Sequence, residues 1–142
     1  MFSRDDILAA MTAFPLHKQF GFEIIRAEDG TCEARCTVGP PHLNYGGVIH
    51  GGVMYLLLDV CAYCAALTLL PDGTNATTHD IHVSMMRPTP DGADLRLTAT
   101  VVKPGRSLFF IDVVATVAGK PVASARVTKS LVPISPTAHL PA

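Results

Sequence analysis

Charge is scarce in this 142-residue sequence, and neither sign is in excess. Eleven Lys and Arg face twelve Asp and Glu. Nucleic-acid binding needs a concentrated basic face, so that class is excluded and only local basic residues remain for an anionic ligand. A secretory signal is missing as well: the start, Met-Phe-Ser-Arg-Asp-Asp, is acidic where a signal needs a basic start and an apolar run. The expectation is a cytoplasmic protein whose four cysteines, Cys32, Cys36, Cys61 and Cys64, are free thiols. Cys61-Ala-Tyr-Cys64 matches C-x-x-C but has no turn residue and no second ligand pair at zinc-like spacing. It reads as two small buried side chains, and no metal site is expected. No internal repeat or low-complexity segment interrupts the chain. The length suits one domain, residues 1–142. The apolar fraction of 49% is high enough to expect part of the surface to be covered by another subunit.

What the sequence does have is a concentrated stretch, residues 42–70. It begins as a polar, glycine-dense loop with Asn44, Gly46, Gly47, His50, Gly51 and Gly52. It continues as a long apolar run broken by one charge, Asp59. The run is close to the minimum length for a bilayer span. A charge at its centre, flanks without basic anchors and the strand-like sequence downstream argue instead for a core helix wrapped by a sheet.

Hydrophobic periodicity places the remaining elements. Ser3 with Asp5 and Asp6 starts a helix within residues 1–16, apolar at Ile7, Leu8, Met11 and Phe14 and ended by Pro15. Residues 20–38 alternate around the turn signal Glu28-Asp29-Gly30 and predict a hairpin. The central helix is expected over 49–69. Four strands follow, over 76–86, 95–103, 108–118 and 122–132, and short joints predict that consecutive strands are antiparallel neighbours. Residues 133–142 read as a loose tail. The fold class is α+β, a bent antiparallel sheet around a long apolar helix.

The chemistry lies in the central stretch. A lone carboxylate in an apolar helix costs several kcal/mol if it stays charged without partners. Asp59 is therefore either a structural hydrogen-bonding group or a base or nucleophile raised in pKa by desolvation. Upstream, Gly51 and Gly52 lie at the expected helix N-terminus, where N–H groups lack internal acceptors and glycine lets a substrate approach. That is the construction of an oxyanion hole. Gly51 and Asp59 are separated by about 12 Å along a helix axis, too far for one carbonyl to meet both. The spacing implies a site shared between two subunits of a homodimer.

The pattern Asn44-x-x-Gly47-x-x-His50-Gly51-Gly52, with Asp59 on the following helix, resembles hotdog-fold acyl-CoA thioesterases, nearest the phenylacetate-pathway type. Thr78 to Ser84, ending at Arg87-Pro88, and Pro104-Gly105-Arg106-Ser107 resemble the next strand and a later turn of that family. The resemblance spans about residues 17 to 132. It implies a curved sheet around the helix, and homodimers that often pair into tetramers. It implies that Asp59 activates a water or attacks the thioester directly, that the Gly51 N–H holds the carbonyl oxygen, that Asn44 orients it and that Thr78 positions the water. His50 supports the loop or lies near the thioester. Thr77 inherits the Thr78 role if the strand register slips by one. The acyl-CoA is the substrate and no cofactor is required. Arg106 with Ser107, then Arg87, are the expected phosphate contacts, chosen from basic residues at strand ends or turns that include Lys103 and Lys129. His79 is expected to face away from Asp80 and His82, which opposes a metal site there. His17, His42 and His139 read as surface or structural residues. Two further readings on the same fold are a hydroxyacyl-thioester dehydratase and a non-catalytic acyl-CoA-binding sensor.

Overall fold

The computed structural model describes residues 2–142. The Ser3 hydroxyl accepts from the Asp6 N–H at 3.1 Å, and the Asp6 carboxylate accepts from the Ser3 N–H at 2.9 Å. This reciprocal cap starts helix α1, Arg4–Ala10. A 3₁₀ turn, Met11–Ala13, follows, and then Pro15 opens a second helix, α2, Pro15–Gln19. The sequence reading ended the helical segment at Pro15. A proline blocks continuation of the preceding turn but suits the first position of a new helix, where its N–H is not needed.

Strands β1, Glu23–Glu28, and β2, Thr31–Thr37, form the expected hairpin. Its turn places Asp29 and Gly30 at φ 48° and 76°, the pair of positive values that a tight two-residue hairpin requires. Helix α3, Gly51–Leu67, then crosses the sheet. Met54, Leu57, Leu58, Val60, Cys61, Ala62, Cys64, Ala65, Ala66 and Leu67 are buried along it. The less buried positions Gly52, Tyr55, Leu56, Asp59 and Tyr63 recur at three- and four-residue spacing and form a single open stripe. No helix among the described residues is long and apolar enough to cross a membrane.

Four strands follow: β3, Thr74–Met85; β4, Asp94–Pro104; β5, Leu108–Val117; and β6, Lys120–Pro133. The six-stranded antiparallel sheet has the order β1-β2-β4-β5-β6-β3. Alternate residues of its inner face, among them Leu95, Leu97, Ala99, Ile111, Val113, Ala115, Ala123, Ala125 and Val127, close over α3. This is the α+β hotdog arrangement that the resemblance implied.

One expectation fails. β3 and β4 are consecutive but not neighbours, because β3 pairs only with β6 at the sheet edge. The connection after β3 bonds back to the segment before α3 and to the end of β2: the Ile49 N–H donates to Thr89 O at 2.8 Å, and the Val38 N–H to Ala93 O at 2.9 Å. Those bonds deliver β4 beside β2 on the far side of the helix. The tail after β6 is irregular, yet Ile134 and Leu140 pack against the core.

The β4–β5 turn leaves no room for a side chain at Gly105. Its N–H donates to Leu108 O at 2.9 Å, and a Cβ there would lie 2.6 Å from that same oxygen. The obstacle is backbone, so no rotamer change relieves it. Gly105→Ala is expected to cost about 1–3 kcal/mol, read as a lowered midpoint in urea unfolding with an unchanged slope.

Candidate active site

Asp59 meets two partners, one from each of two adjacent strands. The Thr78 hydroxyl of β3 donates to Asp59 Oδ1 at 2.8 Å. The Lys129 ammonium of β6 donates to the same oxygen at 3.0 Å and to Thr78 Oγ1 at 2.7 Å. Thr78 and Lys129 are directly paired across the two strands, which sets them side by side over the helix. Thr78 thus spends its single proton on the carboxylate while accepting from the lysine. Both bonds fall on Oδ1, and Oδ2 has no hydrogen-bond donor among the described residues.

The burial of the pair is lopsided. The Asp59 side chain is 37% exposed and that of Lys129 only 2%. The expectation of a carboxylate sealed in apolar surroundings therefore does not hold for a single chain, because Asp59 lies on the stripe of α3 that the sheet leaves open. The desolvated member is the cation. Burial pushes the Lys129 ammonium below its usual range, and the Asp59 charge opposes that shift. The Lys129 nitrogen also stands 5.4 Å from the centroid of the Tyr63 ring. Burial pushes the Tyr63 hydroxyl up to about 12, so it stays a neutral donor, bonded to Asn75 Oδ1 at 2.6 Å. Around this cluster opens a cleft of about 340 Å³, walled by Ile7, Met11, Phe14, His17, Val60, Tyr63 and Ala76. The N-terminal helices supply its apolar side.

The glycine loop builds a second, separate groove of about 350 Å³, lined by Ile49, Gly51, Met54, Met85, Met86, Arg87, Pro88 and Thr89. His50 caps α3: its Nδ1 accepts from the Gly52 N–H at 2.9 Å. That bond occupies the Gly52 donor and leaves the Gly51 N–H without an acceptor among the described residues, at the positive end of the helix dipole. Asn44 Oδ1 accepts from the Gly46 N–H at 2.8 Å, which turns the loop and leaves its Nδ2 donors uncommitted. In one chain, then, Asn44, His50, Gly51 and Arg87 lie at one end of α3. Asp59 and Thr78 lie farther along it, and the Arg106-Ser107 turn belongs to that end of the sheet. Ser107 O accepts from the Leu131 N–H at 2.9 Å, two residues beyond Lys129. Arg106 and Ser107 are exposed, as expected of a turn that presents them.

The two adjacent threonines differ in their contacts. Thr78 bonds Asp59, and Thr77 is exposed. A bulge between Thr78 and Asp80 leaves His79 unpaired in the ladder. Strict alternation therefore stops there, and His79, Asp80 and His82 are all exposed. His42 is structural: its Nε2 donates to Phe20 O at 2.7 Å and its Nδ1 accepts from the Gly39 N–H at 3.0 Å. His17 Nδ1 donates to Met11 O at 2.7 Å, and its ring lines the Asp59 cleft.

Residues 46–124 match the sequence profile of the thioesterase superfamily. Human acyl-coenzyme A thioesterase 13 is 31% identical over 110 residues, covering 76% of this chain and 78% of that protein. The chain belongs to the thioesterase superfamily. It is a thioester hydrolase with the hotdog fold. The crystal structure of zebrafish thioesterase superfamily member 2 superposes with a TM-score of 0.81 at 28% identity, over 93% of this chain and 100% of that one. A hypothetical thioesterase from Streptococcus pneumoniae, crystallised with coenzyme A, superposes with a TM-score of 0.74 at 25% identity, over 79% and 89%.

Lys129 is the residue of this cluster that the sequence reading misplaced, by grouping it with solvent-facing basic residues at strand ends. It is paired on both sides, with Phe109 of β5 and Thr78 of β3, and is buried. The signal was present in the period of two. Ala123, Ala125 and Val127 form the inner set of β6, and Lys129 continues it, whereas Ser124, Arg126, Thr128 and Ser130 form the other set.

The cap on α3 can be measured on its own. His50→Ala is expected to lower unfolding stability by about 1 kcal/mol, with His50→Asn recovering most of it, as read by urea denaturation.

Proposed function

We propose that this thioesterase hydrolyses a small or medium acyl-CoA, aromatic acyl groups included, to the free acid and coenzyme A, with Asp59 as the group that activates water. The observation that carries the reading is the Asp59 carboxylate, held at Oδ1 by Thr78 and Lys129 and open at Oδ2 toward an apolar cleft. A water on Oδ2 passes its proton to the carboxylate as its oxygen bonds to the thioester carbon. Thr78 Oγ1 retains a lone pair to accept the second water hydrogen. The carbonyl oxygen becomes negative and is met by the Gly51 N–H, with Asn44 Nδ2 orienting it. Collapse of the intermediate breaks the C–S bond and releases the thiolate. A thioester is already activated, so an oxyanion hole and one carboxylate suffice without a metal or redox cofactor.

The two grooves of a single chain are separate, which supports a site completed by a second copy. β3 pairs on one side only, so its other edge is open to strand addition. Tyr45, Tyr55, Met85 and Met86 are exposed apolar side chains, and the two methionines line the Gly51 groove. An antiparallel homodimer through this region lends the Gly51 loop of one subunit to the Asp59 cleft of the other. Arg106 with Ser107, and then Arg87, are the exposed groups suited to the phosphates of coenzyme A. Four free thiols suit a reducing cytoplasm.

Thiol release from a panel of acyl-CoA substrates tests the reading. Wild type should turn over at least one acyl class, and Asp59→Asn should lower kcat by about 10²–10⁴-fold on it. Equal, background-level rates for both proteins on every substrate that they bind would leave a binding module instead. The shared site has a separate check. Mixed dimers of Asn44→Ala and Asp59→Ala subunits should regain activity, because one of their two sites then has both functional groups. Verified mixed dimers as inactive as their parents would place the whole site within one chain.

A further inference from the structure

Lys129 is a lysine at an inward-facing position of a central strand, 1% exposed, among side chains that are otherwise apolar. Placing an ammonium there is costly unless its charge is matched and its hydrogens are bonded. Among the described residues its one ionic partner is Asp59 at 3.0 Å, and its other bond, at 2.7 Å, goes to the hydroxyl that itself donates to Asp59. The Tyr63 ring lies against a further side. These contacts of the nitrogen all converge on the Asp59 cluster. A buried cation whose only structural task was to fill the core would be replaced well by a methionine of similar length.

We propose that Lys129 is a positioning residue for Asp59. It fixes the carboxylate through Oδ1 and orders the Thr78 hydroxyl toward it, so that Oδ2 is the oxygen presented to water. The proposal rests on the hydrolytic reading for its kinetic consequence only; the charge coupling between the two residues does not need it. Two features of the geometry support it. A carboxylate on the open stripe of α3 would otherwise choose among rotamers, and two donors on one oxygen select one. The lysine–threonine bond leaves the threonine proton no other strong direction, since its oxygen already accepts from Nζ.

Activity then depends on Lys129 being protonated. The titratable groups around the pair are Tyr63 and Cys64 on α3 and His17 on α2; Thr78 on β3 carries no charge. The Tyr63 hydroxyl is pushed up by burial, and Cys64 is held well above the usual thiol range by its bond with the Cys32 sulfur and then by burial. Neither is an anion at neutral pH. Burial lowers the Lys129 ammonium, so it loses its proton at a lower pH than an exposed lysine does, and kcat should fall on that alkaline limb.

Two variants separate charge from hydrogen bonding. Lys129→Met removes both, and Lys129→Gln keeps a neutral donor of similar reach. Lys129→Met is expected to lower kcat about 10–100-fold with KM changed less than about threefold. Lys129→Gln should lose less, and neither variant should keep the wild-type alkaline limb. Thermal melts verify folding, and if the methionine protein does not fold, the glutamine protein carries the comparison. Wild-type kcat and an unchanged alkaline limb in a folded variant would overturn the proposal. A readout independent of turnover is the titration of Lys129, followed by the NMR signal of isotope-labelled lysine. Asp59→Asn should move its midpoint to lower pH, because burial then acts without the opposing carboxylate. An unmoved midpoint would show that the two groups are not coupled, whatever the fate of the thioesterase assay.

Discussion

Helix α3 is apolar on nearly every face, and the sheet must cover it. That burial demand sets most of the architecture. Leu57, Leu58, Cys61, Ala65 and their neighbours leave water only if strands close over three sides of the helix, and β2, β4, β5, β6 and β3 do so with alternate inward residues. The fourth side is where the sheet stops. Asp59 is on that stripe, held at one oxygen and accessible at the other. The helix that supplies the core thus also supplies the carboxylate of the proposed site, at the edge of its covering.

The same constraint explains why the partners of Asp59 come from where they do. β6 is an inner strand and β3 the edge strand beside it, so a lysine from one and a threonine from the other reach the helix from the same rung. The cation is in the covered region and the carboxylate at the rim. Removing a charge from water is the expensive step, and here the lysine bears it. At the other end of α3, His50 caps Gly52, so one of the first two helical donors is bonded within the chain and the other has no acceptor among the described residues. Tyr45, Tyr55, Met85 and Met86 are exposed and β3 is a sheet edge, the features on which the proposed second copy rests.

Much of this was legible in the residues. The glycine-dense loop and the single charge in an apolar run marked the residues of the proposed site. The alternating strands predicted the sheet. Three features were less accessible. The pairing of β3 with β6 and of β4 with β2 depends on bonds between the Thr89–Ala93 segment and the loop before α3 and the end of β2, which no local pattern encodes. The bulge at His79 shifts the inward set from Ala76 and Thr78 to Ile81 and Val83, and a run of polar residues hides it. Lys129 was readable from its place in the alternation of β6, but its charge drew it into the class of surface residues.

The sequence by itself determined the class of fold, the helix at its centre and the chemical types available to the site. Periodicity, glycine spacing and an isolated carboxylate are local properties, and local sterics and hydrophobic burial act on them directly. Only the tertiary structure decided which cation faces Asp59, which oxygen of that carboxylate is free and which of two adjacent threonines bonds it. Those outcomes depend on strand order and register, where residues 19 and 70 positions away along the chain arrive within 3.0 Å of one side chain.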